Sequence, residues 1–293
     1  MNTELIHVTT ADGLRLDGAL HLKRETDGPA VLGVDAFLLL HGTGGNFYGS
    51  SLFASVIPHC LGWGAAVLAV NTRGHDLAYA ASTAAGRRLF GAAYEVVDEC
   101  RFDLAAWITL LADRGYGRIA VVGHSLGAVK AVYSLANETP PAVVALVAIS
   151  PPRLSHGHFL QSQDARLFQE VLAAAEAHVS EGQADTLMSV RFPLPYLVTA
   201  AGYVDKYGPA ERYNVLKFVD QIAVPSLFTF GTIELRQNPA FAGLPERLEE
   251  NARQGANRHV AVIAGADHFY TGVHSELLGR IEFWLRRAFT ERG

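Results

Sequence analysis

The chain predicts an α/β domain: a mostly parallel sheet of about eight strands with helices on both faces and an inserted helical cap. Three observations carry that expectation. Apolar runs at 36–40, 65–70, 119–122, 143–150 and 259–264 read as strands, with β-branched enrichment at 119–122 and burial on both faces expected at 143–150. Helical patterns separate several of them, and strand–helix–strand alternation at this length gives parallel pairing through right-handed crossovers. Roughly 70 residues then lie between Pro151-Pro152 and the strand that opens at Pro225-Ser226, where a single helix would suffice.

Composition narrows the class. A 293-residue chain with 49% hydrophobic and 18% charged residues is long enough for one large domain, or for a domain carrying an inserted cap. A net charge of −5 and the lack of a basic tract give no reason to expect nucleic acid or an anionic membrane surface. The N-terminus has neither a charged start nor an apolar signal core, and no apolar run approaches the ~18 residues of a bilayer span. A soluble, cytoplasmic protein is expected, with oligomeric state left open. Cys60 and Cys100 stand outside any ligand spacing and read as buried free thiols.

Chemistry concentrates at Arg118–Ala128. Residues 119–122 form a strand, Gly123-His124-Ser125-Leu126-Gly127 follows at once, and Leu126, Val129, Val132, Tyr133 and Ala136 continue at helical spacing. A strand that becomes a helix through G-x-S-x-G is a nucleophile elbow: the turn is tight, the serine backbone is strained, and the hydroxyl stands clear of the sheet. Free N–H groups and the positive dipole end of the new helix lie beside the reacting oxygen. In this motif and its setting the chain resembles the α/β-hydrolase family, and the remaining elements follow the family order along nearly the whole chain.

Residues 4–10 and 14–23 alternate as strands joined at Asp12-Gly13, a hairpin signal, and such an opening pair fits the resemblance. The strand Ala36–Leu40 runs into H-G-T-G-G-N, residues 41–46, whose three glycines let backbone N–H groups share one space. In the family the H-G turn after the third strand supplies half of an oxyanion hole. The resemblance therefore assigns the N–H of Thr43, partnered by that of Leu126, with Gly44 in reserve; Thr43 departs from the H-G-G-G form. The turn at 71–76, N-T-R-G-H-D, is similar to a family D-x-R-G-H-G turn, and its His75 lies in the wrong part of the chain for a base. A helix is predicted from Ala93 to Arg114, with Val96, Cys100, Leu104, Trp107, Ile108 and Leu111 as its apolar stripe and Glu95, Asp98, Glu99, Arg101 and Asp103 as a solvated face.

Residues 153–217 are expected to form the cap, dividing the core into 1–152 and 218–293. Asp164–Val179 is its helix, and Phe159, Phe192, Tyr196, Tyr203 and Tyr207 are candidates to line an apolar substrate pocket. His156 and His158 find no third ligand nearby, so no metal and no cofactor is expected.

The family orders its triad as serine, acid, histidine. After the strand at 226–231 comes Glu234, similar to the family's strand-G-x-x-D segment with glutamate for aspartate; Glu246, Glu249 and Glu250 fall on a predicted helix, Pro245–Arg253, and Asp220 at the wrong end of the strand. His268 follows the last strand, in the family's histidine position, ahead of an amphipathic helix bearing Leu277, Ile281, Trp284, Leu285 and Phe289. Asp267 and His124 are assigned no role in the proton transfer. The resemblance implies a Ser125–His268–Glu234 triad that cleaves a small-molecule carboxylic ester through an acyl-enzyme. Thioester, lactone and C–C bond hydrolysis, cyanohydrin lysis and non-catalytic ligand binding stay open alternatives.

Overall fold

The computed structural model describes residues 2–23, 30–250 and 257–289. The N-terminal strands β1 (Asn2–Thr9) and β2 (Arg15–Leu22) pair as an antiparallel hairpin around Asp12-Gly13. Strand β3 (Ala36–Leu40) leads to helix α1 (Ser51–Gly62), whose first turn is capped by the Ser50 hydroxyl accepting from the Phe53 N–H. Strand β4 (Ala66–Val70) follows, then a small antiparallel pair, β5 (Tyr79–Thr83) and β6 (Gly86–Phe90), that the sequence does not announce because its side chains are mostly solvent-facing. Helix α2 (Cys100–Asp113) delivers the chain to β7 (Ile119–His124), α3 (Leu126–Asn137) and β8 (Val143–Ile149).

The excursion after β8 holds α4 (His156–Phe159), α5 (Ala165–Ser180), a two-stranded antiparallel pair β9 (Leu187–Val190) and β10 (Tyr196–Thr199), and α6 (Ala200–Tyr207). It is thus helical and sheet-bearing, not purely helical as expected. The chain returns through β11 (Ser226–Gly231), α7 (Thr232–Gln237), α8 (Leu244–Glu250), β12 (Arg258–Ile263) and α9 (His274–Phe289). Of the helix expected at Pro245–Arg253, residues 251–253 lie outside the described residues.

The main sheet has eight strands in the order β1-β2-β4-β3-β7-β8-β11-β12, parallel from β4 to β12. Alternate side chains of each central strand enter different cores: Ala36, Leu38 and Leu40 join the side packed by α2 and α3, whereas Phe37 and Leu39 join the side packed by α1 and α9. Burial on both faces explains why these strands read as unbroken apolar runs. Among the described residues no helix is long and apolar enough to cross a membrane.

One expectation fails instructively. The helix predicted from Ala93 begins only at Cys100, after a short 3-10 turn at Val97–Glu99, because Val96 is extended and turns Glu95 inward. Glu95 and Asp103 are buried rather than solvated. Asp103 takes the Arg73 guanidinium through its Oδ1, from Nε at 3.0 Å and Nη2 at 2.8 Å, while the Arg73 backbone N–H donates to Oδ2. Arg73 reaches on to Glu99 and to Asp12 in the hairpin turn, so one buried cation clamps three segments.

Candidate active site

The carboxyl ends of parallel strands in an open α/β sheet are where ligand sites form, and the candidate residues gather there. Ser125 joins β7 to α3 with φ 56° and ψ −124°, a region that side chains other than glycine rarely enter. The crossing is close enough to require glycine on both flanks. A Cβ on Gly123 would lie 2.4 Å from the Gly127 carbonyl oxygen, and one on Gly127 would lie 2.3 Å from that of Leu40. The Ser125 N–H donates to the Ile149 carbonyl at 2.9 Å, locking the turn to the next strand.

Glu234 sits in the first turn of α7, just past β11, and is buried. Its Oε1 accepts from the Gly231 N–H at 2.7 Å and from the Ser150 hydroxyl at 2.5 Å; its Oε2 lies 2.7 Å from Nδ1 of His268. The carboxylate can only accept, so Nδ1 carries the proton and Nε2 is the free nitrogen. The His268 side chain is 28% exposed against 2% for Glu234, so the ring bridges a buried anion and an open cavity. Behind the pair, the Tyr270 hydroxyl contacts Ser150 Oγ at 3.0 Å and Thr229 Oγ1 at 2.9 Å. Ser150 (φ 48°) and Tyr270 (φ 57°) share the positive φ of Ser125, so three of the five non-glycine residues of that kind among the described residues gather at this site.

Neighbours hold the imidazole's loop. The buried His124 ring donates from Nε2 to the His268 carbonyl at 2.8 Å, and burial, followed by the proximity of His268, pushes its pKa down to about 3. Asp267 spends Oδ1 on the N–H groups of Phe269 and Thr271, both at 2.9 Å, which makes it a turn former and not the acid. The rings of Phe241 and Phe269 stand 5.1 and 5.3 Å from that of His268.

Ser125, Glu234 and His268 open on one cavity of about 390 Å³, whose walls include Thr43, Leu126, Leu194 and Phe241. Thr43 and Leu126, the two expected oxyanion donors, therefore reach the same space; Gly44 takes φ 64° in the turn and stands outside the lining. The aromatic expectation needs correction. Of the five candidates only Tyr207 lines the cavity; Phe159, Phe192 and Tyr203 are buried in the 153–217 excursion, and Tyr196 abuts Tyr207 through its hydroxyl. Phe159, Phe168 and Phe192 pack on one another at centroid separations of 4.9–5.4 Å, and this cluster is continuous with the core on the α2–α3 side of the sheet.

Other candidates fall elsewhere. His75 stacks on Tyr79 and contacts Asp76. Glu246, Glu249 and Glu250 are exposed on α8, and Asp220 pairs with Arg258 at the opposite end of β11. His158 lies against the Pro239 carbonyl and Arg153. Ser150, Thr229 and Tyr270 were not anticipated. Their one signal was position: Ser150 directly follows a buried strand beside the strand that leads to Ser125, and Tyr270 stands two residues past His268.

The architecture, a parallel sheet whose central strand turns through a strained serine into a helix, defines an α/β hydrolase. The family model for the alpha/beta hydrolase fold matches residues 35–195, more than half of the chain, and the chain belongs to that family. Among solved structures it is similar to the esterase Pf2001 of Pyrococcus furiosus (21% identity, 98% of this chain and 91% of that one, TM-score 0.63). It is also similar to the α/β hydrolase GrgF of Penicillium sp. sh18 (15%, 98% and 99%, 0.68) and to Est1E of Butyrivibrio proteoclasticus with ferulic acid bound (14%, 96% and 98%, 0.65). At these identities the likeness is one of fold. No protein of curated function matches the sequence.

Proposed function

We propose that the chain is a serine hydrolase that cleaves carboxylic esters by two-step acyl transfer to water. Ser125 Oγ attacks the ester carbonyl carbon while Nε2 of His268 takes its proton; the imidazolium returns that proton to the departing alcohol oxygen as the C–O bond breaks. Water then repeats the sequence on the acyl-enzyme, releasing the acid. Glu234 keeps Nδ1 protonated and stabilises the imidazolium, and the N–H groups of Thr43 and Leu126 receive the oxyanion. The observation that carries this reading is the 2.7 Å contact between His268 Nδ1 and Glu234, which leaves Nε2 free at a cavity shared with Ser125.

The walls support a compact, uncharged ester. Pro152, Leu154, Pro193, Leu194, Ala240 and Phe241 are apolar, Glu234 and Asp267 put carboxylates on the wall, and among the described residues no lysine or arginine lines the cavity, which disfavours an anionic substrate. The excursion at 153–217 supplies part of the wall and acts as the cap. The test is covalent labelling. A fluorophosphonate adds one label at Ser125 of the wild type, and Ser125→Ala abolishes both labelling and turnover of short p-nitrophenyl esters, the latter by ~10⁶ if the triad acts as a unit. Folded wild type that takes no label overturns the reading in favour of a ligand-binding protein.

A further inference from the structure

The Gly42–Thr43 turn is backed by ionisable groups that the chemistry above does not use. His41, Thr72, Glu95, Lys130 and Lys206 are all buried. His41 Nδ1 lies 2.8 Å from the Gly42 carbonyl oxygen, which also accepts from the Gly45 N–H at 3.1 Å. A carbonyl accepts, so Nδ1 carries the proton and Nε2 is the acceptor. That assignment agrees with the other side of the ring, where the Thr72 backbone N–H donates to Nε2 at 3.0 Å and the Thr72 hydroxyl stands 3.1 Å away. Lys130 Nζ donates to that hydroxyl oxygen at 2.8 Å, so the hydroxyl proton shares the Nε2 lone pair with the backbone N–H. Lys130 Nζ is also 2.5 Å from Glu95 Oε1, and Lys206 Nζ, on α6, is 3.9 Å from Glu95 Oε2.

Such a cluster needs a reason. Desolvating one carboxylate and two ammonium groups is costly, and well-packed apolar residues of similar volume are often as stable or more so. The reason lies at the far end of the relay. A trans peptide is planar, so the Gly42 carbonyl and the Thr43 N–H point in opposite directions from one rigid plate. Holding the carbonyl sets the direction of the N–H. The plate also lies against the nucleophile, since a Cβ on Gly42 would be 2.9 Å from Ser125 Cβ.

We infer that Lys130 and Glu95, acting through Thr72 and His41, are positioning residues that aim the Thr43 N–H at the oxyanion. The relay fixes the ring's tautomer at one face and the peptide plate at the other. Burial first, and then the Lys130 charge, push the His41 pKa down to about 3; the hydrogen bond to the Gly42 carbonyl and then Glu95 pull it up and His75 pulls it down by smaller amounts, and the ring stays neutral at working pH. A protonated ring would turn a second donor toward the Thr72 N–H and break the relay at that face, while Nδ1 would still donate to the Gly42 carbonyl. The inference rests on the serine-hydrolase reading for its catalytic meaning, but the tautomer is a property of the folded chain alone.

The experiment compares Thr72→Val, Thr72→Ser and Lys130→Met. The valine keeps the shape of threonine and removes the hydroxyl; Lys130→Met leaves Glu95 facing Lys206, a balanced pair. For Thr72→Val, kcat on p-nitrophenyl butyrate is expected to fall 10–100-fold with KM within twofold, less than the ~10²–10³ of deleting an oxyanion donor because the N–H is misaimed and not lost. A trifluoromethyl ketone, whose serine adduct carries the oxyanion, should weaken by the same factor. Thr72→Ser should restore both to within threefold. A purely structural role would lower thermal stability and leave kcat of the folded fraction unchanged. Histidine ¹⁵N NMR, with the His41 signal identified by its loss in His41→Gln, should show the Nδ1–H tautomer in wild type and an upward-shifted titration in Lys130→Met. Wild-type kcat in folded Thr72→Val and Lys130→Met, or an Nε2–H tautomer at His41, overturns the inference. Absence of ester turnover and labelling in wild type defeats the hydrolase reading instead, and the tautomer then decides the positioning claim by itself.

Discussion

Replacing Glu234 with glutamine removes one charge and almost nothing of the side chain's shape. The outcome follows from who donates to whom. The Oε1 site faces two donors, the Gly231 N–H at 2.7 Å and the Ser150 hydroxyl at 2.5 Å. An amide NH₂ placed there would oppose the fixed backbone N–H, so the glutamine oxygen takes that site and the NH₂ turns to Nδ1 of His268. Nδ1 must then accept. The tautomer reverses, Nε2 acquires the proton, and the nitrogen facing the cavity can no longer take one from Ser125. Loss of charge stabilisation of the imidazolium adds to this. A fall of ~10³–10⁴ in kcat is expected, equivalent to about 4–5.5 kcal/mol of activation free energy. The assay is steady-state hydrolysis of p-nitrophenyl acetate and butyrate by wild type and Glu234→Gln of equal circular dichroism, with stopped-flow observation of the acylation burst. KM should change little. A loss under tenfold would refute the reasoning and require another carboxylate behind His268.

Four further outcomes are expected. His41 and His124 are held near 3 against about 6.5 in an unfolded chain, so the unfolded state binds more protons between those values. Stability therefore falls as pH drops from 6.5 toward 3, by about 1.4 kcal/mol per pH unit per histidine, and His124→Gln should remove one share of the slope in urea titrations at pH 7 and 5.5. Gly127→Ala should destabilise by ~3 kcal/mol or more, or abolish soluble expression, since its Cβ meets backbone oxygen; a midpoint matching wild type in urea would contradict the packing described. Asp103→Asn strips the Arg73 cation of its fully buried partner while Glu99 and Asp12 remain, for a cost of about 3 kcal/mol by urea denaturation. Phe241→Ala should move the preferred acyl chain toward longer esters across a graded p-nitrophenyl series; an unchanged profile would remove Phe241 from the acyl-contacting wall.

What was legible in the sequence was whatever has a local physical signature. The strand-to-helix turn at Ser125 announces itself through flanking glycines, and His268 and Glu234 through the strands that precede them. The support around Glu234 was not legible, because Ser150 just past β8, Thr229 on β11 and Tyr270 in the loop after β12 meet only when those three strands pair. Buried ions misled the reading most: Glu95 and Asp103 at helical spacing look like a wetted face, and only their distant partners, Lys130 and Arg73, reveal otherwise. The aromatics of 153–217 misled for the opposite reason. An excursion of that size needs an interior, and Phe159, Phe168 and Phe192 supply it instead of meeting a ligand.

Ser150 is the last residue fixed by the sheet before the chain departs, and β11 is the first strand of the main sheet on its return. The groups that hold Glu234 and His268 come from β7, from Ser150 and β11 at the two ends of the excursion, and from the loop after β12, and among the hydrogen bonds described none comes from the excursion's middle. The Glu234–His268 pair therefore stands apart from that middle. Lys206 on α6, by contrast, faces the buried Glu95 behind the Gly42–Thr43 turn, so reshaping the excursion spares both arrangements only while α6 keeps its place.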